Sequence, residues 1–408
     1  MRDSSFKAPE RQLALLLAGT QARRACNRER IEELAARADF HALQEFLLRT
    51  PMLPLIGRRL LEVSDAAPEW FAREVERYSG QARRQGVAQA LVTTRVIAAL
   101  TDAGVRVLPL KGPLLAERIY GELEARVSAD IDLLVDRADL APAIEALERL
   151  GYRSPFETDM RQRKPEVHEL LRSAAGLPEI ELHWRLHWYD ERFGAEMLRR
   201  AVPGEDGRLY PTPVYELAAL LLAYAREGFA GLRQLADTTT WWDRYGHTLA
   251  PGELGELAGT DPAIACPLAT SAAIAQRLGG LPADRLLGRA LLSKASGVAA
   301  RLSNWPLRGP QPQVGANVTL IDWFLAGPGQ RRALFARHLW LPEEVLRLRC
   351  RDEGPRARRL RRGTILRMRV LHLVRICGRY AIALSQIWMR AGWAPAPPWL
   401  DTTAGEGA

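Results

Sequence analysis

Val105-Arg-Val-Leu-Pro-Leu-Lys-Gly-Pro-Leu-Leu-Ala-Glu-Arg-Ile-Tyr120, followed shortly by Asp130-Ile-Asp-Leu-Leu-Val135, is the stretch that decides the fold. Val105 to Leu110 reads as a short strand, and Pro109 implies that it ends there or lies at a sheet edge. A Lys-Gly-Pro turn leads into a helix from about Leu114 to Tyr120. Ile131 to Val135 is a second strand, and Leu140 to Leu150 is a helix that Gly151 closes. Strand, helix, strand, helix in this order is an α/β signature.

Upstream, Pro9 to Ala103 is built from helix formers with apolar residues three and four apart, such as Leu43, Phe46 and Leu47, or Val92, Val96, Ile97 and Leu100. Pro51, Pro54 and the segment Asp65 to Pro68 punctuate these helices, and Gly104 stops the last one. Downstream, Leu182, Trp184, Leu186 and Trp188 alternate with Glu181, His183, Arg185 and His187. This period of two predicts a third strand from Ile180, with Glu181 and His183 together on the face turned away from the core. Beyond Pro213 the helical pattern returns, including Val214 to Glu227 and Leu232 to Tyr245. The expected class is α+β, with a small mixed sheet and flanking helices between helical N- and C-terminal regions. The expected divisions are 1–103, a helical region; 104–190, the core; 191–331, a helical domain; and 332–408, a basic helical segment and tail.

Asp130 and Asp132 stand two apart on an apolar strand, so both carboxylates leave the same face and reach the same cations. Paired hard divalent ions held in this way clamp the attacking and leaving oxygens of an in-line phosphoryl displacement, which makes Mg²⁺ the expected ion. A third carboxylate completes such a cage. Glu181 is the first choice and Glu179, nearer the Pro178 break, the second. Lys111-Gly112 between a strand and a helix offers backbone N–H groups, a helix dipole and a cation to a triphosphate, and Arg126 adds a second cation. His183 reads equally well as a functional neighbour of Glu181 or as its packing partner. Asp237, before Thr238 to Thr240 and Trp241-Trp242, leans towards a buried helix-packing role over substrate contact. Trp184, Trp188, Trp241 and Trp242 are assigned to packing.

Val107-Leu-Pro-Leu-Lys-Gly112, Tyr120 and Arg126-Val-Ser-Ala-Asp-Ile-Asp-Leu-Leu-Val135 resemble the signature of the uncharacterised nucleotidyltransferase family within the DNA polymerase β superfamily. Glu181-Leu-His-Trp184 is similar to its downstream acidic-x-His-Trp block, and Leu232-Arg-Gln-Leu-Ala-Asp237 to its helical part. The resemblance implies Mg²⁺-dependent transfer of a nucleoside monophosphate from an NTP such as ATP to an acceptor that is a small molecule, a peptide or RNA. It also implies metal-binding roles for Asp130, Asp132 and Glu181, and a setting in peptide or polysaccharide biosynthesis. The wider superfamily has Gly-Ser or Gly-Gly at the turn where this chain has Gly112-Pro113. Pro113 removes one N–H donor from the phosphate cradle, yet fits the first turn of a helix. Two alternatives stay open beside turnover: a non-catalytic nucleotide-binding scaffold, and a toxin-like transferase acting on RNA.

Composition sets the frame. Hydrophobic residues make up 47% of the 408 and charged residues 26%, which is ordinary for a folded globular chain. The net charge is +9, but ten arginines and no acidic residue fall between Gly354 and Leu400, so the remainder is close to neutral. Any RNA or anionic membrane contact is therefore expected through Arg356 to Arg379, although these arginines do not gather on one helical face. Cys26, Cys266, Cys350 and Cys377 lack the spacing of a zinc site or disulfide framework, and no secretory signal or transmembrane segment is evident. A cytoplasmic setting is the expectation.

Overall fold

A computed structural model describes residues 8–155, 167–187, 190, 192–229, 231–293, 295, 325–326, 330–332 and 362–391. The N-terminal apolar periodicity becomes six helices: α1 (Pro9–Leu17), α2 (Gln21–Cys26), α3 (Arg28–Arg37), α4 (Phe40–Arg49), α5 (Leu53–Val63) and α6 (Glu69–Asp102). Pro54 starts α5 and Pro68 caps α6, so both prolines open helices where a missing N–H is harmless. The long helix α6 buries Phe71, Val75, Ser79, Ala82, Gly86, Gln89, Thr93, Val96, Ile97 and Leu100, a single stripe at three- and four-residue spacing.

The sheet core follows as β1 (Val107–Pro109), α7 (Pro113–Tyr120), β2 (Asp130–Val135), α8 (Leu140–Arg149), β3 (Tyr152–Arg153), β4 (His168–Ser173) and β5 (Glu179–His183). Five strands lie in the order β1-β2-β5-β4-β3. The β2–β5 pair is parallel and the others are antiparallel. Pro109 sits on the edge strand β1, where its missing donor leaves no gap in the ladder. The expected α+β architecture is thus present. The third strand is shorter than its alternation predicts, ending at His183 instead of running on. The backbone N–H groups of Trp184 and Arg185 both donate to Val167 O, and the Asp190 carboxylate then receives those of Leu186 and Gly194, which turns the chain into α9 (Phe193–Arg200). Trp188 lies outside the described residues.

One sheet face packs Ile131, Leu133, Val135, Leu171, Ile180 and Leu182 against Val96, Ile97 and Leu100 of α6 and Leu140, Ala143 and Leu147 of α8. The hairpin β6 (Val202–Pro203) and β7 (Leu209–Tyr210) leads to a helical array, α10 (Pro213–Arg226), α11 (Leu232–Tyr245), α12 (Glu253–Thr260), α13 (Pro262–Gly279) and α14 (Ala283–Leu287). Trp241 is fully buried there and donates its indole N–H to Glu216 Oε2 at 2.7 Å, which agrees with its packing assignment. A second compact unit, Gln311–Pro395, contains α15 (Arg362–Ala391), a basic helix with Leu366, Val370 and Val374 exposed. Arg356 to Arg361 lie outside the described residues. No helix among the described residues is long and apolar enough to cross a membrane.

Candidate active site

The parallel ladder between β2 and β5 places Asp130 opposite Glu179 and Asp132 opposite Glu181. Paired residues in a parallel ladder share a face, so the register alone sends these carboxylates to one side while Ile131, Leu133, Ile180 and Leu182 go to the core. Oxygen atoms of Asp130, Asp132 and Glu181 lie within 4.8 Å of one another. Ligand oxygens around a six-coordinate divalent cation are separated by about 3 to 4 Å, so small side-chain rotations bring this set onto one ion. Glu179 is turned outward instead, paired with Arg172 at 2.6 Å.

Each carboxylate is held from behind. Ser128 Oγ donates to Asp130 Oδ1 at 2.9 Å. Two glutamines of α6 grip the approach to β2, Gln85 donating to Ser128 O at 2.9 Å and Gln89 to Asp130 O. The Asp132 carboxylate accepts from His183 Nε2 at 3.0 Å and faces Lys111 Nζ at 3.7 Å. Burial pushes the Asp132 carboxyl upward, but Lys111 and then His183 hold it well below the usual carboxylate range. Glu181 is likewise lowered against the effect of burial, through His183 at 3.2 Å and His168 beyond it. Burial pushes the Lys111 ammonium down, with Asp132 opposing.

His183 is only 1% exposed, so the polar face of β5, turned away from the core as its alternation predicts, is an inner wall and not an outer surface. Helices α10 and α11 cover it. Between them and the sheet lies a polar cavity of about 100 Å³, lined by Lys111, Arg126, Asp130, Asp132, Glu181, Arg226 and Asp237 among others. That volume admits several water-sized occupants. Gly112 is not among the lining residues. With φ 77° and ψ −154° it precedes Pro113 and turns the chain from Lys111 into α7.

Arg126 and Asp237 meet in a buried ion pair, Nε to Oδ2 at 2.9 Å, and Tyr120 donates to Asp237 Oδ1 at 2.8 Å. Asp237 thus has a packing role and also borders the cavity. One guanidinium nitrogen of Arg126, Nη1, is buried with no hydrogen-bond partner among the described residues. Sequence reasoning missed His168, Ser128 and Arg226. Arg226 ends α10 as an ordinary basic last-turn residue, and nothing local says that the helix delivers it to the carboxylates.

The model of a family described as uncharacterised nucleotidyltransferase matches residues 36–277. No curated protein and no solved structure matches the chain. The chain belongs to this nucleotidyltransferase family, and the matched segment includes every cavity-lining residue named above.

Proposed function

We propose that this family member transfers a nucleoside monophosphate from an NTP to the hydroxyl, amine or phosphate of an acceptor, with Mg²⁺ held by Asp130, Asp132 and Glu181. The observation that carries this reading is the convergence of those three carboxylates, set in register by the β2–β5 ladder, on a cavity that also contains Lys111, Arg126 and Arg226. Bound Mg²⁺ supplies charge neutralisation at the oxygens of the reacting phosphoryl group. The protein groups do the rest. Lys111, now resting against Asp132, is placed to shift to phosphate oxygens once cations neutralise that carboxylate. Arg226 and the unpaired Nη1 of Arg126 offer further donors to the same oxygens. A carboxyl held below its ordinary range accepts protons poorly and binds cations well, so Glu181 is assigned as a ligand in preference to a base. In the transfer, an acceptor atom bonds to the α-phosphorus as the bond to the pyrophosphate oxygen breaks, pyrophosphate leaves, and a hydroxyl or amine acceptor releases its proton to water.

The test is transfer of α-labelled NTP to candidate acceptors with Mg²⁺. The Asp130→Ala, Asp132→Ala double variant is expected to lose roughly a thousandfold in rate, about 4 kcal/mol of barrier, while keeping its circular dichroism spectrum. Equal label incorporation by the double variant and the parent chain would overturn the mechanism.

A further inference from the structure

His168 and His183 face each other across the antiparallel β4–β5 ladder, directly paired in register, and their rings lie 4.9 Å apart. Between them stands Glu181. Its Oε2 is 3.2 Å from His183 Nε2 and 3.6 Å from His168 Nδ1, while Asp132 Oδ1 is 3.0 Å from the same His183 nitrogen. We infer that His168, His183 and Glu181 form a second cation site for an imidazole-binding transition-metal ion such as Zn²⁺, with solvent as the fourth ligand, bridged through Glu181 to the all-oxygen Mg²⁺ site on the Asp130 side.

A hydrogen-bond network explains these contacts less well than a cation. His168 Nδ1 is a buried atom with no hydrogen-bond partner among the described residues, although it lies 3.6 Å from a carboxylate oxygen of Glu181. His183 Nε2 carries at most one proton, yet two carboxylates converge on it, and its Nδ1 is buried without a hydrogen-bond partner among the described residues. Around a tetrahedral ion with bonds near 2.0 to 2.1 Å, neighbouring ligand atoms are separated by about 3.3 Å. The contacts of Glu181 with the two imidazoles, 3.2 and 3.6 Å, lie on either side of that edge length, and the ligand atoms of all three residues fall within 4.8 Å of one another. The donor set also discriminates between ions. Mg²⁺ prefers oxygen and retains water, whereas two imidazoles with one carboxylate suit Zn²⁺ and its first-row neighbours. Glu181, common to both sets, has a second carboxylate oxygen for the ion on the Asp130 side.

The inference rests on the preceding reading for its shared ligand, but it is tested by binding rather than turnover. The full chain, stripped with chelator and desalted, is titrated with Co²⁺ and followed by visible absorption. The parent chain is expected to take up one Co²⁺ with the intense band of four-coordinate cobalt, displaced by Zn²⁺ and not by excess Mg²⁺. His168→Ala is expected to weaken Co²⁺ and Zn²⁺ binding at least tenfold, with thermal melts checking its fold, and Asp130→Asn to retain the band. X-ray absorption of the Zn²⁺-loaded parent chain supplies a measurement independent of any variant, with imidazole scattering expected. A pale six-coordinate cobalt spectrum, absence of imidazole scattering, or unchanged affinity in a folded His168→Ala variant would overturn the inference. Mg²⁺-supported NTP binding is measured in parallel. Its loss alone counts against nucleotidyl transfer, whereas failure of the cobalt experiment alone counts against the second site.

Discussion

Arg126 and Asp237 are 5% and 2% exposed, so their ion pair has left water almost completely. Burying two charges costs about as much as their attraction returns, but removing one partner leaves the other stranded. Asp237→Ala is therefore expected to destabilise the fold by about 3 to 5 kcal/mol in urea unfolding. Arg126→Met with Asp237→Leu should recover much of the loss. A single-variant cost below about 1 kcal/mol would show that the pair is not structural. His187 gives a separate expectation. Burial, with Arg226 second, pushes its imidazole down to about 3. The unfolded value is about 6.5, so the contribution is whole above that pH and is lost as pH falls towards the folded value. Between pH 7 and pH 5 the parent chain should lose about 2 kcal/mol more stability than His187→Phe, and parallel loss in the two chains would refute this.

At the scale of elements, the Lys111-Gly112-Pro113 turn joins an edge strand to a helix, and its geometry depends on Gly112. A φ of 77° with ψ −154° lies where only glycine is comfortable, while an added Cβ would meet nothing nearer than Asp130 O at 3.9 Å. The cost of Gly112→Ala is thus conformational instead of steric, about 1 to 3 kcal/mol, and should register as a lower thermal midpoint. An unchanged midpoint would contradict it. Glycine and proline punctuation of this kind is why β1, α7, β2 and α8 were legible in the sequence. The strand β4 was not. His168-Glu-Leu-Leu-Arg-Ser173 sets two leucines side by side, which blurs the period of two, and so His168 went unread. Arg226 escaped for another reason, because its position depends on how α10 crosses the sheet rather than on any pattern within the helix. For Arg126, the sequence offered a cation for phosphate, whereas the fold commits its Nε to Asp237 and leaves Nη1 buried without a partner among the described residues.

The whole molecule separates into two compact units, and the candidate site belongs entirely to the first. Within that unit the carboxylates come from strands whose aligned partners, Asp132 and Glu181, are 49 residues apart in sequence. No hairpin can bring them together, because the parallel pairing requires α8, β3 and β4 to be laid down between them. The carboxylate cluster is thus a property of the finished topology, and a nascent or half-folded chain presents its aspartates and glutamate as unrelated side chains. Contacts of such long range tend to form late on the folding route. Divalent cations should accordingly slow unfolding of the native protein while leaving its refolding rate nearly unchanged, which stopped-flow denaturant jumps with and without Mg²⁺ will reveal. Faster refolding with the ion would mean that the β2–β5 register is set early. With late closure, an ion bound by these carboxylates would act as a latch on the completed sheet, and the proposed phosphate chemistry would have no organised site before that sheet exists.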